Sequence, residues 1–171
     1  AYRRCPSGVY LRPHFSLYTQ ASRKVMDLLR SSADVFEPAG IDEAYLDVSS
    51  RATFEATRDL ARELQARIRG QEGLSASVGL GHNKLVAKIA SDHKKPGGLT
   101  AVIPSRVQEF LDPKGVGIQR GVGPKTKEFL LSLGYETVAQ LRGASREFLF
   151  HEFGKFGLYL YDEARGIDDR V

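Results

Sequence analysis

Two hydrophobic periods alternate through residues 9–103, and few architectures accept the order in which they come. A short strand is expected at residues 9–11, ended by Pro13. Residues 16–31 then place Leu17, Ala21, Val25, Leu28 and Leu29 at helical spacing, which makes one apolar stripe. Residues 35–37 read as a strand that Pro38-Ala39-Gly40 interrupts. Residues 41–48 read as the next, with Ala44, Leu46 and Val48 on one face. The spacing of Leu60, Ala61, Leu64 and Ile68 predicts a helix over residues 53–69, with Gly70 placed to end it. Leu74, Ala76, Val78 and Leu80 alternate as a further strand, Asn83 suits the cap of a helix running to His93, and residues 99–103 form a last strand. The order is β-α-β-β-α-β, an α+β chain with a ferredoxin-like, split-βαβ sheet and its helices on one face.

Beyond Pro104 the texture changes: short amphipathic helices alternate with Gly-rich turns, and no strand pattern remains. The expectation is therefore two domains, residues 1–104 and a small all-α domain over residues 105–171. A hydrophobic fraction of 42% and a charged fraction of 27% are those of a globular chain rather than a disordered one. The net charge of +4 permits a polyanionic partner without requiring one. Cys5 is the only cysteine, which excludes an intrachain disulfide and fits a reducing, intracellular compartment; its expected role is that of a small buried hydrophobe. Nothing approaches the roughly 18 consecutive apolar residues of a membrane helix, so no membrane partner is expected. The opening Ala1-Tyr2-Arg3-Arg4 lacks Met and runs straight into patterned sequence, which leads to the expectation of a piece of a longer protein.

Three segments carry chemistry. In Gly40-Ile41-Asp42-Glu43-Ala44-Tyr45-Leu46-Asp47, adjacent carboxylates repel each other and are poor strand formers, so a strand that keeps them needs a reason. A hard divalent cation held by one or two carboxylates is one such reason. Neighbours on a regular strand point to opposite faces, so both acids reach one ion cluster only if the backbone bends, which Gly40 would ease; a solvated strand end is the plain alternative. In the second segment, Lys84, Lys88 and Asp92 share one helix face, and Lys94-Lys95-Pro96-Gly97-Gly98 forms a basic exit turn. Such lysines suit a triphosphate, or simply a solvated helix face. The third, Gly121-Val122-Gly123-Pro124-Lys125-Thr126-Lys127, reads as a tight hairpin feeding a helix N-terminus with Pro124 at its first position. Glycines admit a close approach, and amide groups with the helix dipole bind phosphate oxygen, so this helix-hairpin-helix pattern favours nucleic-acid backbone over a plain cap. His14, His82, His93 and His151 lie on separate segments and do not suggest a metal site.

Taken in order, these segments resemble Y-family, translesion-type DNA polymerases, closest to the DinB or DNA polymerase IV branch. The resemblance is carried by Cys5-Pro6 to Tyr10-Leu11, the Ile41-Asp42-Glu43 run, Val78-Gly79-Leu80-Gly81 with Asn83-Lys84, Ala87-Lys88-Ile89-Ala90-Ser91-Asp92, Lys94-Lys95-Pro96-Gly97-Gly98-Leu99, the Gly121 hairpin and Ala164-Arg165-Gly166-Ile167-Asp168-Asp169. It implies a partial catalytic palm followed by a thumb. Asp42 and Glu43 would be catalytic and help hold two Mg2+ ions. Lys95, with Lys88 in a weaker role, would contact the incoming triphosphate. Gly121, Val122, Gly123, Lys125 and Thr126 would contact the DNA backbone. Asp47 and Asp92 are read as structural.

The implied partners are primer–template DNA and a dNTP, with a sliding clamp reached through a C-terminal region outside this sequence. The implied place is the cytoplasm, at the nucleoid. Gly40 stands where the family usually has serine, a change expected to be tolerated. A further metal-binding aspartate, the fingers and the little finger belong to the family but are not in this sequence, so unaided polymerase activity is not expected of it. Two other readings stay open: a non-catalytic helix-hairpin-helix module or polymerase-like accessory subunit, and another palm-fold enzyme such as a nucleotide cyclase.

Overall fold

The structure is a computed structural model that describes residues 2–170. Of the opening run, Ala1 lies outside the described residues, and Tyr2–Arg4 makes one 3-10 turn. The chain divides into two compact units, one up to Ser50 and one from Arg51 onward.

In the first unit, helix α1 (Phe15–Arg30) packs against a hairpin of strands β1 (Val35–Pro38) and β2 (Ala44–Asp47). The strands are antiparallel, with Val35 opposite Asp47 and Pro38 opposite Ala44. The open end is closed by Asp34, whose carboxylate accepts from the Ser50 N–H at 2.8 Å and the Ser50 hydroxyl at 2.7 Å. Met26 and Leu28 are the buried side chains of α1, whereas Leu17, expected on its apolar stripe, is exposed. Residues 9–11, expected as a strand, have no regular structure: Val9 and Leu11 are exposed, and Pro13 removes a donor that a ladder would use. Cys5, expected to be buried, is exposed as well.

In the second unit the α+β pattern continues with helix α2 (Phe54–Glu72), strand β3 (Val78–Leu80), helix α3 (Lys84–His93) and strand β4 (Leu99–Ala101). Thr53 caps α2 by accepting from the Ala56 N–H. The helix does not stop at Gly70; it runs one turn further to Gly73, which takes the left-handed conformation at φ 66°. Leu60, Ala61, Leu64 and Ile68 are its buried residues, as their spacing requires. Strands β3 and β4 pair in parallel, Val78 beside Leu99, so α3 is the crossover of a βαβ unit. That crossover is tight because Gly79 has no side chain: a β-carbon there would lie 2.0 Å from the Ala87 carbonyl oxygen. Gln65 of α2 ties the exit turn down, its amide donating to the carbonyls of Ala76, Gly97 and Gly98.

Residues after β4 are helical: α4 (Val107–Leu111), α5 (Pro124–Ser132), α6 (Val138–Arg142), α7 (Arg146–Phe153) and α8 (Lys155–Glu163). Thr137 and Gln140 form a capping box on α6, and Ser145 caps α7. Leu111, Leu130, Leu141, Leu149 and Leu160 are fully buried in one cluster with Leu85, Val86 and Ile89 of α3. The change of texture near Pro104 thus falls inside a unit with a shared core. Glu163 is a buried acid in this cluster's shell. It accepts from the Arg120 N–H at 3.1 Å, and burial raises its pKa from 4.5 to about 7.

Two stability outcomes follow. Gly79→Ala forces a methyl group into the backbone of α3, and urea unfolding should show a loss of about 1–3 kcal/mol or more. For Glu163 the folded pKa lies above the unfolded one. Its penalty is therefore absent below pH 4.5, grows as pH rises to about 7, and is constant above. Glu163→Gln should leave stability unchanged at pH 4.5 and raise it at pH 8 by up to about 3 kcal/mol, measured by denaturant titration at both pH values.

Candidate active site and nucleic-acid interface

Asp42 and Glu43 belong to the first unit, in the loop that joins β1 to β2. The strand expected from Ile41 onward begins only at Ala44, so both acids precede the ladder. The alternation of a regular strand does not govern them. The loop is held by the Glu43 carbonyl, which accepts from the N–H groups of Ala39 (2.8 Å) and Gly40 (3.1 Å), and by the Ser22 hydroxyl of α1, which donates to the Ile41 carbonyl. Both acidic residues are exposed. Gly40 does not use its freedom, since its φ lies outside the left-handed region. An added β-carbon would meet only the Asp42 Oδ1 at 3.8 Å, an ordinary contact, so a side chain fits there. Asp47, at the end of β2, is structural: its Oδ1 accepts from the Ser49 N–H, and hydrogen bonding by Ser49 lowers its pKa.

No cluster of three or more His, Cys, Asp or Glu side chains able to hold a metal occurs among the described residues. The donor set near the loop is thus two adjacent, solvent-accessible carboxylates. That number suits Mg2+, which binds through one or two carboxylates and completes its shell with water and substrate oxygen.

Lys88 and Lys95 belong to the second unit, and there they converge. Asn83 caps α3 by accepting from the Val86 N–H, which places Lys88 a turn and a half along and Asp92 near the end. Lys95 Nζ lies 2.5 Å from Asp92 Oδ1, and Lys88 Nζ lies 3.6 Å from Asp92 Oδ2. Partial burial pushes the Asp92 pKa up, but Lys95 and Lys88 outweigh it and the net shift is downward. Asp92, read from sequence as a helix-packing acid, is instead half-exposed and organises both lysines. Its i, i+3 and i, i+4 spacing from them carried that signal. The peptide between Lys95 and Pro96 is cis.

The hairpin is formed as its glycines suggest. Gly121 has φ 77°, and the Phe156 ring of α8 presses on its α-carbon: an added β-carbon would lie 2.8 Å from Phe156 Cε2. The Val122 N–H donates to the Gln119 carbonyl and the Gly123 N–H to the Gly121 carbonyl, both at 3.1 Å, so these two amides build the turn. Gly123 is the N-cap of α5 with nothing within 4 Å of a would-be β-carbon, and no side chain caps this helix. Pro124 has no N–H, which leaves the N–H groups of Lys125 and Thr126 pointing out of the first turn. Lys125 is exposed, Thr126 and Val122 half-buried.

A further polar contact, absent from the sequence reading, joins the C-terminal segment to α3. Asp168 accepts from the Leu85 N–H at 2.9 Å, Asn83 donates to the Gly166 carbonyl at 2.8 Å, and the Gln108 amide donates to the Arg165 carbonyl at 2.7 Å. Burial raises the Asp168 pKa, but Arg170 outweighs it and the carboxyl ends below its ordinary value. Asp168 and Leu85 are 83 residues apart, and no local pattern announces such a bond.

Comparison with known proteins agrees with this arrangement. The model of the impB/mucB/samB family matches residues 1–92. The DNA polymerase IV of Desulfotalea psychrophila is 42% identical over 171 residues, covering 99% of this chain and 46% of that protein. That of Clostridioides difficile is 41% identical over 99% of the chain and 47% of the relative. The chain thus spans about half the length of the curated relatives it matches. Among solved structures, DinB from Sulfolobus solfataricus superposes with a TM-score of 0.89 at 33% identity, over 96% of this chain and 49% of that one. The insertion ternary complex of Dbh DNA polymerase gives a TM-score of 0.90 at 32% identity, over 99% and 50%. The mixed α and β architecture and the Y-family resemblance of the motifs are borne out, and the chain belongs to the impB/mucB/samB family.

Proposed function

We propose that this chain is the palm-and-thumb portion of a DNA-directed DNA polymerase that extends primers across damaged template. The observation that carries the reading is the pair Asp42-Glu43, two adjacent exposed acids held out of the ladder in a braced loop, in a chain whose relatives are DNA polymerases. Residues 1–104 serve as palm and residues 105–171 as thumb. Asp42 and Glu43 contribute ligands to two Mg2+ ions, which supply charge stabilisation to the attacking and leaving oxygens of phosphoryl transfer. Lys95 meets the triphosphate of the incoming dNTP, with Lys88 beside it. The Lys95 ammonium has three donors, so the contact with Asp92 leaves others for phosphate oxygens.

The thumb holds the DNA backbone at the hairpin. Gly121 and Gly123 keep the surface low, Val122 anchors the turn on the core, and the N–H groups of Lys125 and Thr126 take a phosphate oxygen beside the Lys125 ammonium. Nothing in these contacts reads a base, which suits an enzyme that must follow any template. No helix among the described residues is long and apolar enough to cross a membrane. The place of action is the nucleoid, in the cytoplasm, and a sliding clamp is the partner expected of the complete polymerase.

The decisive experiment is single-nucleotide primer extension with Mg2+ by the complete polymerase. Asp42→Ala and Glu43→Ala should each lower extension by roughly 10²- to 10³-fold while the circular dichroism stays native. Tight primer–template binding with no extension by the unmutated complete protein would leave a non-catalytic DNA-binding role in its place. For this chain alone, log affinity for duplex should fall with log salt at about −0.9 per phosphate neutralised. Lys125→Ala should make that slope shallower by about one, read by fluorescence anisotropy across a salt series.

A further inference from the structure

The hairpin is gripped from behind by α8 at two consecutive residues. Phe156 packs on Gly121, and the Glu163 carboxylate accepts the N–H of Arg120, the residue that leads into that glycine. Glu163 is 7% exposed, and no ammonium or guanidinium among the described residues forms an ion pair with it. The neighbouring side chain is equally unusual: Gln119 is 3% exposed, and neither its Oε1 nor its Nε2 has a hydrogen-bond partner. A buried acid that neither forms an ion pair nor serves the proposed chemistry needs a reason to be there.

We infer that Glu163 is the positioning residue of the backbone grip, fixing the peptide that enters Gly121 and setting one titratable negative charge close to the phosphate that the grip receives. This rests on the reading of the hairpin as a DNA-backbone contact and adds how that contact responds to pH. The hydrogen bond from Arg120 does not depend on the charge, because a carboxylic acid and a carboxamide each keep an oxygen that accepts the same N–H. The charge itself opposes phosphate. Burial is the largest influence and raises its pKa, Arg120 and Arg170 lower it and Asp168 raises it, and the net value is about 7. Below that pH the grip faces the phosphate with a neutral side chain behind it, and above it with a negative one. DNA and the proton therefore bind with positive linkage.

The test is the affinity of the full chain for a fluorescein-labelled primer–template duplex at pH 6 and pH 8, at one fixed salt concentration, for the unmutated chain, Glu163→Gln and Glu163→Leu. Glu163→Gln should match the unmutated chain at pH 6 and bind roughly threefold more tightly at pH 8, the size expected of one unit charge acting through partly screened space. Every other side chain is common to the two proteins, so the difference between the two profiles isolates Glu163. Glu163→Leu deletes the acceptor and should bind more weakly at both pH values, with Glu163→Gln showing that restoring an acceptor restores affinity at pH 6. Parallel profiles for the unmutated chain and Glu163→Gln would overturn the inference and leave the DNA grip standing. Absence of salt-dependent DNA binding by the unmutated chain would overturn both.

Discussion

The carbonyl oxygen of Ala87 occupies the space that a β-carbon on Gly79 would need, and the second unit is assembled around that contact. Because backbone lies directly on backbone, α3 sinks far enough for Val86 and Ala90 to become fully buried and for three-residue strands to suffice on either side of it. Such short strands are marginal by themselves. What stabilises them is the helix between them and the apolar surface it covers, which continues into the leucine cluster of the later helices. The exit turn inherits this rigidity, since Gln65 pins its carbonyls and Asp92 gathers its lysines.

The N-terminus of α3 carries a second constraint. Asn83 satisfies the Val86 N–H and Asp168 the Leu85 N–H, so two of the helix's orphan donors are met, one locally and one from the far end of the chain. The negative charge of Asp168 also lies at the positive end of the helix dipole, where it is favoured. The same C-terminal stretch begins at α8, whose Glu163 and Phe156 hold the hairpin. Within the second unit, the Gly121 hairpin and the lysine-bearing helix α3 are therefore braced by one continuous segment, residues 156–168. A contact this distant in sequence costs chain entropy to form, and it is repaid by satisfying donors that water would otherwise have to reach.

How much of this was legible in the residues depends on the range of the interaction. Helix α2 and the inward face of α3 follow from spacing alone, because Leu60, Leu64, Ile68, Leu85 and Ile89 bury where a 3.6-residue period puts them. The cap at Asn83 and the turn at Gly121 follow from local chemistry that acts within three residues. The stop of α2 at Gly73 rather than Gly70 is not legible because both glycines permit a left-handed cap, and the local pattern does not choose between them. Residues 9–11 were misread since an apolar triplet beside a proline satisfies a strand pattern without any neighbouring strand to pair with. The position of Asp42 and Glu43 in a loop, which removes the geometric objection to their acting together, depends on where the β1–β2 register ends. The anchors Glu163 and Asp168 were invisible for a simpler reason: their partners, Arg120 and Leu85, are backbone groups, and a backbone N–H leaves no mark in the sequence.

Electrostatics gives these separate features a common logic. A surface that presents uncompensated cations attracts any polyanion. In this chain two cationic elements come with an acid: Lys88 and Lys95 with Asp92, and the hairpin that carries Lys125 with the buried Glu163 behind it. Under the proposed function each acid would lower the attraction for phosphate while ordering the groups beside it, so some strength is exchanged for geometry. Ordering matters more for a lysine than for most side chains, since its long stem has about 2 kcal/mol of rotamer entropy to lose. A carboxylate that already holds the ammonium removes part of that loss in advance. The two acids differ in one respect that follows from burial alone. Asp92 is half in water and stays charged, which makes its effect constant, whereas Glu163 is enclosed and its charge is conditional.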